Sequence, residues 1–166
     1  IGFPIRGTPR IMGSQVIFGS MDRQVYALDT ATGRKLWSFE TDTEVTAPVA
    51  FNDMAVFAVS TGGTLYAVAL SNGSLLRTVR LGETIQAAPV LIGSNHLAVV
   101  SRMGTVWDVD LNRYRVYRKT TTGEVDGASP VYADSRLYIP KLDGAMTILD
   151  TAGLTNAGFI EAGGPV

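Results

Sequence analysis

The chain has 166 residues with 14 basic and 15 acidic side chains, so its formal net charge is −1 at pH 7. This length suits about one domain, and the near-zero charge excludes a global positive field that would attract nucleic acid or anionic lipid. The absence of cysteine excludes disulfides, thiolate metal sites and a cysteine nucleophile. No apolar run approaches the ~20 residues of a spanning helix, so we expect no membrane-spanning segment.

Short apolar segments recur along the chain at a fixed interval, marked by four prolines about 40 residues apart. These are Pro9, Pro48, Pro89 and Pro130. Each proline is followed by two apolar segments, a tight turn, a third apolar segment and a more charged fourth one. No stretch shows the 3.6-residue apolar period of a helix. The sequence therefore predicts about four units, each made of four short strands.

The turn between the second and third segments of each unit carries a pair of residues suited to a tight hairpin. The pairs are Asp22-Arg23, Gly62-Gly63, Met103-Gly104 and Asp143-Gly144. They predict two-residue hairpins, whose backbone requires positive φ. Arg23 and Met103 are the poorer fits.

Units of this length and strand count are typical of β-propeller blades. We therefore predict an all-β propeller segment over residues 1–166, with antiparallel four-stranded blades at about 5–45, 46–86, 87–127 and 128–166. The charged fourth strands should lie at the outer rim. The terminal sequence Gly163-Gly164-Pro165-Val166 is interpreted as the start of a fifth unit, so that both chain ends are expected to be cut from something longer.

The turn of the first unit carries the most specific motif, Ala27-x-Asp29-x-x-Thr32-Gly33-x-x-x-Trp37. It resembles the tryptophan-docking motif of the pyrroloquinoline-quinone-type (quinoprotein-like) β-propeller repeat family. The resemblance implies that Asp29 and Gly33 shape the turn and that Trp37 packs toward the neighbouring blade. Family members usually close with seven or eight blades. We therefore expect a ring that is completed by further blades or by another subunit.

The other units keep only parts of this motif. The second has Gly73 but Arg77 in place of the tryptophan. The third keeps Asp110 but has Tyr114 and Arg118 at the glycine and tryptophan positions. The fourth keeps Asp150-Thr151-Ala152-Gly153 without a tryptophan.

Two polar features of the third unit are candidates for a chemical role. His96, the single histidine, is interpreted as a solvated turn residue rather than a member of a Ser–His–Asp relay. Asp108 and Asp110 lie on one face of a strand but fail as a calcium loop, because the positions of the loop glycine and the bidentate glutamate hold Arg113 and Lys119. Asp108 has no role in the repeat motif. We expect no catalytic, cofactor-binding or metal-binding residues.

The segment at 112–119 interleaves basic and aromatic side chains. It contains Arg113, Tyr114, Arg115, Tyr117 and Arg118. Such a pattern is found in single-strand nucleic-acid sites, but charge on an outer strand also prevents edge-to-edge pairing. We expect an outer-edge strand that docks a protein partner and does not bind nucleic acid.

The resemblance is closest to non-catalytic propellers of the bacterial envelope, such as the lipoprotein of the outer-membrane β-barrel assembly machinery. It implies a periplasmic or envelope scaffold that binds other proteins in an assembly or secretion complex, without a cofactor. The alternative is part of a quinone-dependent alcohol or sugar dehydrogenase. Such an enzyme needs a Ca²⁺ site, a catalytic aspartate and a stacking platform, which the sequence does not assemble.

Overall fold

The computed structural model describes residues 3–125 and 127–161. Within them the chain forms four antiparallel sheets of four strands each, and the predicted all-β fold with four-stranded blades is confirmed. The proposed fifth-unit start at 163–166 lies outside the described residues. The strands are β1 (Arg10–Met12), β2 (Gln15–Gly19), β3 (Gln24–Asp29), β4 (Lys35–Glu40), β5 (Ala50–Phe51), β6 (Ala55–Val59), β7 (Thr64–Ala69), β8 (Leu75–Arg80), β9 (Val90–Ile92), β10 (His96–Val100), β11 (Thr105–Asp110), β12 (Arg115–Thr121), β13 (Val131–Ala133), β14 (Arg136–Pro140), β15 (Ala145–Asp150) and β16 (Thr155–Glu161).

The strands of each sheet follow chain order, so every sheet is a meander of antiparallel neighbours. The inner strands consist largely of Val, Ala, Leu and Phe and are the more buried. For example, all five residues of β6 and all six of β11 are buried. The fourth strands are mostly exposed; β4, β8 and β12 each carry two or more charged side chains, whereas β16 carries only Glu161. The domain boundaries inferred from the sequence stay a prediction.

The tight hairpins differ from the expected two-residue form. In the first sheet the Ser20 amide donates to the Gln24 carbonyl at 2.9 Å, which leaves a three-residue loop. The last loop residue has positive φ, 65° at Arg23 and 79° at Gly104. A three-residue loop whose last residue is left-handed is another common hairpin form, and it stands here in place of the primed two-residue turn. Met103 therefore does not require a positive φ, whereas Arg23 adopts one, which is strained for a residue other than glycine.

Contacts divide the chain into two compact units, Ile1–Gln86 and Ala87–Val166. The first holds the sheets β1–β4 and β5–β8 around one hydrophobic core, which includes Ile17, Val25, Val56 and Val68 at 0% exposure. Side chains from both sheets enter this core, so each covers the apolar face of the other. The core also contains Trp37.

The second unit holds the sheets β9–β12 and β13–β16 around its own core. Ala98 and Val106 enter it from one sheet, and Leu137 and Leu149 enter it from the other. The opposite face of the fourth sheet is less covered, with Val131 59% and Ile160 51% exposed.

One irregularity recurs at the same place in all four sheets. The pairing of the third and fourth strands shifts register between Ala27/Leu28, Ala67/Val68, Asp108/Val109 and Ile148/Leu149. A β-bulge adds one residue to one strand and bends it. Because the shift is shared, residues that precede it occupy equivalent positions in every sheet.

Candidate functional site

Trp37 joins the two sheets of the first unit. It is 6% exposed, and its indole N–H donates to Gln15 Oε1 at 3.2 Å and to the Leu70 carbonyl at 3.1 Å. The ring lies on Gly73, where an added Cβ would be 2.6 Å from Trp37 Cε3. An indole buries a large apolar area while placing one donor, so it can fasten one sheet to the turn of the next.

The turn before Trp37 is closed by hydrogen bonds to the Asp29 carboxylate. Asp29 Oδ1 accepts hydrogen bonds from the Thr32 hydroxyl and amide, both at 2.7 Å, and from the Ala31 amide at 3.1 Å. The hydrogen bond from the Thr32 side chain, with those from the backbone, lowers the pKa of the Asp29 carboxyl. Gly33 has φ 69°, and Ala27 is fully buried beside the indole's strand.

The third sheet fills the same positions with polar side chains. Ala27 pairs with Trp37 in the first sheet, and Asp108 pairs with Arg118 in the third. The Arg118 guanidinium donates to the carbonyl of Ala152, in the turn of the fourth sheet. Arg118 therefore takes the place of the docking tryptophan, reaching the following turn by a charged hydrogen bond instead of an indole.

His96 is not a solvated turn residue, and that interpretation was wrong. It is the first residue of β10, and its Nδ1 lies 2.6 Å from Asp108 Oδ1, with side-chain exposures of 33% and 5%. His96 pairs with Asp110 as Gln15 pairs with Asp29, so His96 and Gln15 are equivalent. A buried carboxylate needs a hydrogen-bond partner. The imidazole supplies one, which gives Asp108 a structural role that the sequence left unexplained.

These groups line a cavity of about 380 Å³, which we call the His96 cavity. The Tyr117 ring meets the imidazole edge at 5.5 Å between centroids. Asp110 Oδ1 accepts from the Asn112 amide at 2.8 Å, and its Oδ2 lies 3.6 Å from Arg113 Nη1. The two aspartates thus open on one cavity, as alternation along the strand predicted. Each already has a partner within the protein.

The structure separates the five residues of the predicted interaction segment. Arg113 and Tyr114 lie in the turn, where Tyr114 has φ 51° at the position of Gly33. Arg115, Tyr117 and Arg118 lie on β12. Tyr117 is 50% exposed, whereas Arg118 is committed to the neighbouring turn and lies 4.6 Å from the Tyr117 ring. The role of these residues in partner binding stays a prediction.

In the fourth sheet the motif is displaced by one residue from its apparent match. Asp150 Oδ1 accepts from the Ala152 amide at 2.8 Å, as in a repeat turn. The residue four positions after it, Leu154, has φ 54° and takes the place of Gly33, so Gly153 does not. Gly158 pairs with Ile148 and occupies the tryptophan position. Counting from the aspartate would have found this from sequence.

Within residues 3–125 and 127–161, no three His, Asp or Glu side chains are grouped so that they could hold a metal ion. That part of the chain also contains no helix that is long and apolar enough to cross a membrane.

Comparison with known proteins identifies relatives of this fold. A family model described as outer membrane protein assembly factor BamB matches residues 21–153. The crystal structure of BamB from Moraxella catarrhalis superposes with a TM-score of 0.78 at 18% sequence identity, covering 93% of this chain and 52% of that one. The chain thus spans about half the length of that structure. At this identity the likeness shows the fold alone, and a search of curated proteins finds no match.

Proposed function

The chain belongs to the family of the outer membrane protein assembly factor BamB, and we propose that it is a non-catalytic scaffold that binds other proteins in a bacterial envelope complex. The family match over residues 21–153 is the observation that carries this proposal. The corresponding location is the periplasm, at the outer membrane. A propeller suits the role because its sheets form a rigid support for exposed turns and rim strands.

The rim around β12 is the surface that we assign to a protein partner. Arg113 is 65% exposed at its side chain and Tyr117 is 50% exposed. Tyrosine and arginine are enriched where proteins bind one another, since each combines contact area with directional hydrogen bonds. Arg118 holds the strand against the next turn, so the exposed side chains stand on a fixed backbone.

Photo-cross-linking in the native envelope tests this assignment. A photoreactive amino acid at position 117 should capture envelope proteins, and Arg113→Glu should reduce the yield. Leu36 is 50% exposed on the rim strand of the first sheet and provides a matched control position. Equal capture at positions 117 and 36, or no envelope protein among the products, would refute the assignment.

The dehydrogenase alternative is tested separately. The chain is incubated with pyrroloquinoline quinone and Ca²⁺, and dye-linked oxidation of alcohols and sugars is measured. We expect no turnover above the quinone alone; turnover that requires the protein would refute the scaffold role.

The less covered face of the fourth sheet is proposed to bind another blade of the same repeat type. Tyr138 and Ile148 pair there as Ile17 and Ala27 pair in the core of the first unit. Ile160→Glu introduces a charge on this face and should weaken the self-association of the purified chain, as measured by light scattering. Identical association of the two proteins would contradict this proposal.

A further inference from the structure

The Ala87–Val166 unit contains a second cavity, which the proposed function does not use. Along β12 it lies on the other side of Arg118 from the His96 cavity. It measures about 380 Å³ and lies between the rim strands β12 and β16. Its lining includes Thr120, Thr147, Asn156 and Phe159, with Lys141 and Glu161 also on its wall. We call it the rim cleft.

The equivalent place in the first unit is filled by two aromatic rings. Phe39 and Tyr66 lie there with ring centroids 5.4 Å apart, and both pack in the core of that unit. Val25 pairs with Phe39 as Val106 pairs with Thr120, so Thr120 stands where Phe39 does. Counting back from the shared register shift places Thr147 where Tyr66 is.

Two further exchanges enlarge the space. In the first unit the Thr64 hydroxyl donates to Asp42 Oδ2 at 2.6 Å, and the Asp42 amide donates to the Tyr66 hydroxyl at 3.1 Å. The positions of Thr64 and Asp42 in the second unit hold Ala145 and Gly123. Each of the four exchanges is from a larger to a smaller side chain. Two other positions on the wall gain volume, since Phe159 and Lys141 stand where the first unit has Thr78 and Ser60. A space of about 380 Å³ nevertheless remains where the first unit holds its two rings, although protein interiors are usually close-packed.

We propose that the rim cleft receives an aromatic side chain of a partner polypeptide. The space corresponds to the two rings that fill its counterpart, and its volume falls within the ~300–1,000 Å³ of ligand pockets. Phe159 is 67% exposed on the cleft wall and offers a ring for edge or offset stacking. The proposal rests on the scaffold role and names the chemistry by which one partner is held.

Charge at the rim cleft indicates what flanks the aromatic residue. Lys141 Nζ lies 3.0 Å from Asp143 Oδ2, so these two charges offset each other. Glu161 is the remaining charged residue of the lining, so the net charge of the cleft wall is −1. A lysine or arginine next to the aromatic residue of the partner would complement it.

Binding of short peptides to the purified chain tests the proposal. The probe is the blocked pentapeptide Gly-Lys-Phe-Lys-Gly, with Gly-Lys-Ala-Lys-Gly as its control, titrated while amide chemical shifts are recorded by NMR. Burial of the phenyl ring should make the first peptide bind about ten- to a hundredfold more tightly. The shifted amides should include those of Thr147 and Phe159. Replacing both lysines of the peptide by glutamates should weaken binding about two- to fivefold.

Filling the rim cleft provides the matched variants. Thr120→Phe with Thr147→Tyr installs the pair of the first unit and should abolish peptide binding. Thr155→Phe adds a ring to the same sheet outside the cleft lining and should leave binding unchanged. Circular dichroism verifies that both proteins are folded, and the amide shifts of the unmodified chain test the site without any variant.

The results distinguish this inference from the scaffold role. Equal affinity for the phenylalanine and alanine peptides, or shifts that fall outside the rim cleft, would overturn the inference even if cross-linking at position 117 succeeds. A chitobiose probe tests a sugar ring as the occupant; shifts at the rim cleft with chitobiose and none with the peptide would likewise overturn it. Peptide binding at the rim cleft together with failed cross-linking would support the inference and refute the β12 docking surface.

Discussion

Replacement of Trp37 by alanine removes the side chain that fastens the two sheets of the first unit. The indole is 6% exposed and donates to Gln15 Oε1 and the Leu70 carbonyl. A buried aromatic residue covers ~150–250 Å². At about 25 cal/mol per Å², that area corresponds to roughly 4–6 kcal/mol as an upper bound. Measured replacements of buried aromatic residues by alanine cost about 3–5 kcal/mol, and we expect Trp37→Ala to fall in that range.

Trp37→Phe separates the hydrogen bonds from the apolar area. It keeps most of the ring but removes the donor, so the expected loss is about 1–2 kcal/mol. Urea unfolding followed by far-ultraviolet circular dichroism measures these free energies. Leu36→Ala on the same strand, at a side chain 50% exposed, is the control and should change stability by less than about 0.5 kcal/mol. If Trp37→Ala costs no more than this control, the indole does not dock the sheets.

Three further predictions concern single positions. His96→Ala should destabilise the chain by about 1–3 kcal/mol because it leaves the Asp108 carboxylate buried without its partner. In a double-mutant cycle, adding Asp108→Ala should recover most of this loss. Additive losses would contradict the pairing. Gly104→Ala places a Cβ 1.8 Å from the Gly123 carbonyl oxygen at a residue with φ 79°. The control is Gly13→Ala, whose Cβ meets nothing within 4 Å and which carries only the ~1–2 kcal/mol of left-handed strain. The Gly104→Ala protein should melt well below the Gly13→Ala protein, and similar melting temperatures would disprove the clash. Burial raises the pKa of the Asp42 carboxyl, but hydrogen bonds from neighbouring side chains and the backbone outweigh it and hold that pKa below its ordinary value near 3.8. A carboxyl whose pKa is lower in the folded than in the unfolded state stabilises the fold above the unfolded pKa, and this stability is lost as the pH falls through the folded pKa. Asp42→Asn should therefore cost less than about 1 kcal/mol at pH 7, and at acidic pH its free energy of unfolding should equal that of the unmodified chain. A difference that does not change with pH would refute this.

The repeat allowed much of the fold to be predicted. Prolines about 40 residues apart, alternating apolar segments and paired turn residues depend on local geometry, which the sequence expresses directly. The role expected of Asp29 and Gly33 at the first turn came from the family resemblance; the structure has hydrogen bonds to Asp29 and a positive φ at Gly33 there. The paired turn residues predicted the wrong loop length for the hairpins, because two- and three-residue loops use overlapping residue types.

The candidate sites were harder to predict because they depend on which side chains of different sheets face each other. The sequence pattern placed His96 in a turn and gave Asp108 no role. The pairing of β10 with β11 places the two side chains next to each other. Arg118 read as part of a basic surface, whereas the structure uses it to reach the turn at Ala152. The rim cleft was not foreseen at all.

By itself the sequence determined the strands, their grouping into four blades and the motif that joins the first blade to the second, because these follow from periodicity and from residues close together in the chain. Only the tertiary structure decided which polar groups are buried together and where a cavity remains. The substitution of Arg118 for a tryptophan, and of Thr120 and Thr147 for two aromatic residues, acquires meaning when the register of one sheet is laid over that of another. Packing between sheets joins residues distant in the chain, and no local pattern records that pairing.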